Sequence, residues 1–358
     1  MEGYALLLEK EIRLAAPGYR HAQVSTVFLG GGTPAIMPVK AMERVLQAVE
    51  ESFSLAPGAE YTVEANPGTL TGEWLQAVCR YGVNRLSLGV QAVQSKHLKA
   101  LGRIHSFEDA REAVALARGQ GIHNINMDVM FGLPGQDSGE YLETLQAVAA
   151  LLPKHISAYS LILEPGTPLA ASVERGECAP PQEELAAEMY EQGRDWLAGQ
   201  GYKQYEISNF AQEGYACKHN LGYWQGAWYL GLGLNAHSML PPEREGDAYR
   251  RMANTPDMHV YRAALGEGKS PICQVEPIPP AEAMFETMML GLRTCAGVRE
   301  EDFLRRHGRA LRAVYGEKLE DMVRDGLGRW SGGPVGAGAF GLTARGLLIQ
   351  NAVLLRLM

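Results

Sequence analysis

No apolar run of membrane-spanning length occurs in this 358-residue chain, and no basic-then-apolar leader follows Met1. A cytoplasmic protein with no transmembrane segment is therefore expected. Positive charge is also in short supply, with 33 Lys and Arg against 41 Asp and Glu for a net charge of −8. That balance argues against a chain-wide nucleic-acid footprint. The motifs G-x-x-x-x-G-K-[ST], H-E-x-x-H and C-x-x-C are all missing, which removes P-loop, zincin and thioredoxin-type sites from consideration. Cysteine is sparse. Cys79, Cys178, Cys217, Cys273 and Cys295 are odd in number and far apart, a pattern that fits a reducing compartment better than a disulfide frame. None stands at an expected strand end, so none is a ready nucleophile. Gly231-Leu232-Gly233-Leu234-Asn235-Ala236 matches the dinucleotide fingerprint G-x-G-x-x-A, but Pro241-Pro242 arrives before a helix could follow, and the match is rejected.

What the chain does contain is an alternation of strand and helix. Val24-Ser25-Thr26-Val27-Phe28-Leu29 runs into Gly30-Gly31-Gly32, and Thr33-Pro34 ends the run. Such a loop lets a ligand lie directly on the main chain. An opening helix over residues 1–16 precedes it. Further strands are expected over residues 61–65, 85–90, 125–130 and 156–163. Helices are expected over residues 39–53, from Thr71 as N-cap to Tyr81, and over residues 107–118 and 139–152. Repeated βαβ units mean a parallel sheet, and five strands without a reversal suggest a full or partial barrel. Glu64, Gln91 and Asp128 close or interrupt successive strands near their C-terminal ends, where barrels place their active sites. Asn126 and Asp128 share one strand face by the two-residue period, so the barrel's inner face is read as polar. Beyond Pro180 a long helix over residues 182–200 and an extended stretch over residues 202–207 precede an aromatic- and glycine-rich stretch over residues 209–238. A domain boundary is placed near residue 245, giving domains 1–245 and 246–358. The second is expected to be helical from residue 252 to 326, ending in a glycine-rich hairpin like a small winged-helix module.

Six stretches occur in order: Gly30-Gly31-Gly32-Thr33-Pro34, Glu64-Ala65-Asn66-Pro67, Leu86-Ser87-Leu88-Gly89-Val90-Gln91, Leu101-Gly102-Arg103-Ile104-His105, Asp128-Val129-Met130-Phe131-Gly132-Leu133-Pro134-Gly135-Gln136 and Tyr159-Ser160-Leu161. Together they resemble the radical S-adenosylmethionine (SAM) proteins related to oxygen-independent coproporphyrinogen III oxidase. His219-Asn220-Leu221-Gly222-Tyr223-Trp224 and Tyr229-Leu230-Gly231-Leu232-Gly233 resemble that family's heme-chaperone (HemW-type) branch. The tail at Leu342-Thr343-Ala344-Arg345-Gly346 and Asn351 fits its C-terminal domain.

The resemblance implies an α/β fold: a partial (β/α)6 radical-SAM barrel with a small C-terminal helical, winged-helix-like domain. It implies SAM across the strand ends, with Gly31, Gly32 and Thr33 on the methionine end. Glu64 and Asp128 become partners of the amino and ribose groups, Gln91 lines the same mouth, and Arg103 meets the carboxylate in a two-pronged contact. His219, with Asn220 and Tyr223, becomes a heme contact or iron ligand, against the alternative of a structural histidine in an aromatic cluster. The implied activity is a heme chaperone that hands heme to membrane-bound respiratory hemoproteins. The alternative is a coproporphyrinogen III oxidase that decarboxylates propionates by radical chemistry. A transcription factor built on the C-terminal module is set aside, because residues 299–329 carry eight Arg and Lys against seven Asp and Glu.

One departure stands out. The family holds a [4Fe–4S] cluster through a C-x-x-x-C-x-x-C after its first strand, and no such motif occurs in this chain. The opening helix looks like the family's first helix, so the family's first strand and cluster loop are expected upstream of Met1. Either the chain starts late or is a fragment, or it is a natural cluster-less relative. The first is favoured, because Glu64, Gln91, Arg103 and Asp128 would otherwise have little to do. Without three thiolates no cluster is held to deliver an electron, so this polypeptide is expected to be inactive in radical chemistry. Reconstitution with iron and sulfide should give no stable [4Fe–4S] absorbance and no 5′-deoxyadenosine; either signal would overturn this expectation.

Overall fold

The computed structural model describes residues 1–180, 182–332 and 338–358. The five expected strands form as β1 (Gln23–Leu29), β2 (Ser54–Ala65), β3 (Arg85–Gln91), β4 (Asn124–Phe131) and β5 (His155–Ser160), each parallel to the next. Two short strands, β6 (Lys203–Gln204) and β7 (Asn209–Ala211), extend the sheet in the order β1-β2-β3-β4-β5-β7-β6. β7 is antiparallel to both β5 and β6. The result is a curled, seven-stranded half-barrel.

Helices follow each of the first four strands for reasons visible in the residues. The helix Val39–Ser52 buries Ala41, Met42, Val45, Leu46, Ala48 and Val49, one stripe at helical spacing, against the sheet. Thr71 caps the helix Gly72–Arg80 by accepting from the backbone N–H of Trp74. Ser106 with Asp109, and Asp137 with Glu140, form reciprocal capping boxes at the starts of Phe107–Gly119 and Ser138–Ala150. On β3 every residue is buried. Leu86, Leu88 and Val90 alternate with Arg85, Ser87 and Gly89, so by the strand period the apolar set faces the helices and the polar set the barrel interior.

By packing, the described chain divides into two compact units. The first comprises Met1–Ala5, His21–Gln204 and Ser208–Cys217; the second comprises Leu6–Arg20, Tyr205–Ile207 and Lys218–Met358. This partition groups residues 218–245 with the C-terminal region and so differs from a division at residue 245.

The region expected to be helical from residue 252 is interrupted. β8 (His237–Leu240), β9 (Tyr249–Asn254) and β10 (Ile272–Ile278) form an antiparallel sheet in the order β10-β9-β8. β10 is exposed along nearly its whole length, so the short Cys273-Gln274-Val275-Glu276 alternation marks no buried face, and Pro277 within it argues against a strand. Farther on, the helices Glu300–His307 and Leu311–Arg324 pack with β11 (Val298–Arg299), β12 (Gly328–Ser331) and β13 (Ala339–Leu342). Phe303, Leu311, Leu319, Met322 and Phe340 form the centre of that core. β12 and β13 pair antiparallel as the expected hairpin; the middle of its glycine-rich connection, residues 333–337, lies outside the described residues. Among the described residues no helix is long and apolar enough to cross a membrane.

The second unit is pinned by a buried carboxylate. Glu11, 3% exposed, accepts hydrogen bonds from the Gly233 backbone N–H at 2.8 Å, Asn254 Nδ2 at 2.5 Å and the Tyr261 hydroxyl at 2.5 Å. Burial raises its pKa while those three donors oppose the rise. The rejected glycine motif therefore has a structural job: its third position offers a backbone donor to Glu11. Glu11→Ala strands three buried donors and is expected to cost about 3 kcal/mol, against about 1 kcal/mol for Tyr261→Phe, as measured by urea unfolding. Because the folded-state pKa of Glu11 is raised, its contribution falls as pH rises from the ordinary carboxylate range through the raised value. That slope should vanish in the Ala variant.

Candidate functional site

The loop after β1 starts the site. Gly31 adopts φ +82°, a left-handed angle that glycine accepts without strain, and its N–H donates to Glu64 Oε2 at 3.2 Å. Gly30 is held by close approach: a Cβ there would fall 2.7 Å from Glu64 Oε2 and 2.7 Å from the Phe28 ring. The loop and the end of β2 are thus built against each other, with the carboxylate turned toward the loop's backbone.

A cleft of about 280 Å³ opens over the ends of β1–β4, and Gly32, Thr33, Glu64, Gln91, Arg103 and Asp128 all line it. Gly31, expected in the site, is not a lining residue; its N–H is bonded to Glu64, which is. Gln91 reaches the cleft through a β3–β4 register irregularity after Gly89 and a φ of +69°. Such an angle is costly for a side chain with a Cβ and persists only where the surroundings enforce it. Two polar lining residues, Asn66 and Ser87, lie outside the expected site set. Asn66 Nδ2 donates to Thr33 Oγ1 at 2.9 Å, and Asn66 Oδ1 accepts from Arg103 Nη1 at 3.2 Å, so one amide ties the glycine loop to the guanidinium. Ser87 donates to Asp128 Oδ2 at 3.5 Å. Both lie inside stretches quoted above for the resemblance; the signal was present, but no period marks a residue that serves as a bracket.

The electrostatics are those of two carboxylates in one partly dry cleft. Burial raises the Glu64 pKa, the Asp128 charge raises it further, and the Gly31 N–H opposes both. Burial also raises Asp128, opposed by Asn126, Ser157, the charge of Arg85, and Ser87. Two anionic acceptors, one guanidinium and exposed loop backbone make a site for a ligand carrying both cationic and anionic groups.

His219, Asn220 and Tyr223 are not lining residues of this cleft. They share the helix Lys218–Trp224 in the second unit, none of whose residues is buried. His219 Nε2 lies 3.1 Å from the Tyr223 hydroxyl, and their rings meet edge-on at 4.8 Å. Tyr223 in turn meets Tyr229 edge-on at 4.7 Å.

A profile described as the radical SAM superfamily matches residues 2–148, and one described as the HemN C-terminal domain matches residues 278–335. The heme chaperone HemW of Bacillus subtilis is 33% identical over 354 residues, covering 99% of this chain and 90% of its own. The chain belongs to the radical SAM family, in its HemW-type branch. The Synechocystis HemW heme chaperone is 37% identical over 80% of this chain and 68% of its own. The bovine mitochondrial radical S-adenosyl methionine domain-containing protein 1 is 38% identical over 83% of this chain and 67% of its own. The structure of Escherichia coli coproporphyrinogen III oxidase (HemN), a radical SAM enzyme, superposes with a TM-score of 0.81 at 21% identity, covering 99% of this chain and 82% of that one. At that identity the likeness establishes the half-barrel fold.

The family implies SAM and a [4Fe–4S] cluster. The cleft's donor set fits the first: carboxylates for an ammonium and a ribose diol, and a guanidinium for a carboxylate. It does not fit the second. No cysteine lines the cleft, and among the described residues no group of three or more His, Cys, Asp or Glu is placed to hold a metal ion. The remaining consequence is electrostatic. Asp128→Asn removes the like charge beside Glu64 and should shift the Glu64 carboxyl titration to lower pH, read from side-chain 13C shifts; an unmoved titration would mean the two carboxylates do not communicate.

Proposed function

We propose that this HemW-type chain binds SAM in the cleft over β1–β4 and acts as a heme chaperone. In this reading it takes heme at His219, Asn220 and Tyr223 and passes it to membrane-bound respiratory hemoproteins. The observation that carries the heme half is the ring cluster that His219 and Tyr223, on an unburied helix, form with Tyr229. Imidazole is a common iron ligand and adjacent aromatic rings can pack a porphyrin face. Two of the relatives matched over most of the chain are named heme chaperones, which supports the same reading. The oxidase alternative has no separate observation behind it, since its structural likeness extends to the fold alone.

In the cleft, SAM would supply a sulfonium-bearing nucleoside amino acid. The chain's residues bind and orient it. The Gly31-Gly32-Thr33 backbone holds the methionine end, and Arg103 meets the carboxylate while Asn66 steadies the guanidinium. Glu64 takes the ammonium, Asp128 the ribose, and Gln91 lines the mouth. Because the Glu64 pKa is raised, its charged form grows in as pH rises through that value, and affinity for a cationic amine should strengthen in the same direction.

Hemin titration of the purified protein should give a Soret shift that His219→Ala weakens at least about tenfold, about 1.4 kcal/mol. A smaller loss is expected for Tyr223→Phe, which keeps the ring contact. An unchanged titration in His219→Ala would remove heme from this helix.

A further inference from the structure

The inner face of the half-barrel continues downward from the cleft as a hydrogen-bonded row across three adjacent strands. The register places Ser87 of β3, Asn126 of β4 and His155 of β5 side by side. His155 is 0%, Ser157 1%, Asn126 3% and Ser87 6% exposed. His155 Nδ1 lies 2.6 Å from Asn126 Oδ1, and the Ser157 hydroxyl donates to the same oxygen at 3.1 Å. Asn126 Nδ2 donates to Ser87 Oγ at 2.7 Å and to Asp128 Oδ1 at 2.7 Å.

These bonds assign the protons. Asn126 Nδ2 donates to both Ser87 Oγ and Asp128 Oδ1, so the amide nitrogen faces β3 and Asp128. Its oxygen then faces β5 and takes the Ser157 hydroxyl proton. His155 Nδ1, against that same oxygen, must therefore carry a hydrogen. Burial first, and the charge of Arg85 second, lower the pKa of His155 well below the ordinary histidine range, which keeps the ring neutral with one N–H to place. Arg85, itself 2% exposed, occupies the strand position two before Ser87 on the same face, and its buried Nε has no hydrogen-bond partner among the described residues. Its charge opposes that of Asp128.

We propose that His155 is a positioning residue for the cleft: its Nδ1–H locks the Asn126 amide, and the locked amide fixes Asp128 as an acceptor aimed at a ribose diol. This rests on the reading of the cleft as a SAM site. His155 touches no ligand itself; it acts at two removes, from the next strand but one to β3. Asparagine places an amide N–H where histidine places Nδ1–H, so His155→Asn should preserve the lock and His155→Leu should break it.

The test uses two probes by calorimetric titration, SAM and 5′-methylthioadenosine, which keeps the ribose but lacks the amino-acid end. His155→Leu should weaken both by the same factor, about tenfold, while His155→Asn restores most of the affinity. Arg103→Met should weaken SAM alone. A merely structural collapse of the cleft would instead erase the advantage of SAM over 5′-methylthioadenosine, and that result would overturn the proposal. So would His155→Leu binding both probes like the native chain, or a folded His155→Asn failing as His155→Leu does. The 15N spectrum of ring-labelled histidine in the native chain decides the lock without any ligand. A neutral ring with hydrogen on Nδ1 is expected at neutral pH, and an Nε2–H ring would overturn it. If the native chain binds neither probe, the SAM reading fails, and the ring spectrum still decides whether His155 holds the row.

Discussion

In a parallel half-barrel with polar residues on its concave face, each buried donor or acceptor left unpaired is costly, and much of this structure follows from that constraint. A barrel filled with Val and Leu layers needs only volume. Here the inner positions of β2, β3, β4 and β5 carry Glu64, Ser87, Asn126, Asp128, His155 and Ser157, and an unpaired group in such a place costs about 1–3 kcal/mol. The side chains therefore bond across strands, from His155 through Asn126 to Ser87 and Asp128. Only the uppermost members, at the strand ends, are left facing the cleft. The site is the open end of a network that the barrel would need for its own stability.

The same constraint explains the site's unusual backbone. Gly31 turns left-handed to aim an N–H at Glu64, and Gln91 tolerates a strained angle to enter the cleft. Strain of this kind is offset by the rigid strands on either side. Asn66 completes the arrangement, because its two amide atoms bridge the glycine loop and Arg103. The second unit meets an equivalent problem at Glu11, whose carboxylate collects a backbone donor, an amide and a hydroxyl from three separate segments.

Family membership and site chemistry bear on each other unevenly. Radical SAM membership brings SAM and a cluster as a pair, whereas the cleft's donors suit only the nucleoside amino acid. The cysteines do not converge there: Cys79 lies on the helix Gly72–Arg80, and Cys217 is buried with its thiol donating to Glu60. His219, Tyr223 and Tyr229 form a further, separate feature, a cluster of one imidazole and two phenol rings in the other unit.

Local signals sufficed for the strand–helix alternation, the Thr71 cap, the glycine loop and the polar strand ends, because each depends on neighbours a few residues away: period, capping geometry and turn chemistry. The family's motifs were also legible, since short stretches in fixed order survive without knowledge of contacts. The antiparallel β7 beside β5, the exposed β10 in a region that reads as helical, and the grouping of residues 6–20 with the C-terminal region were decided by pairing between distant segments. So were the brackets of the site. Asn66 matters because Thr33 and Arg103 come to it, and His155 because β5 lies next to β4. Periodicity places a residue on a face; only the register of one strand against another says which polar atoms meet there.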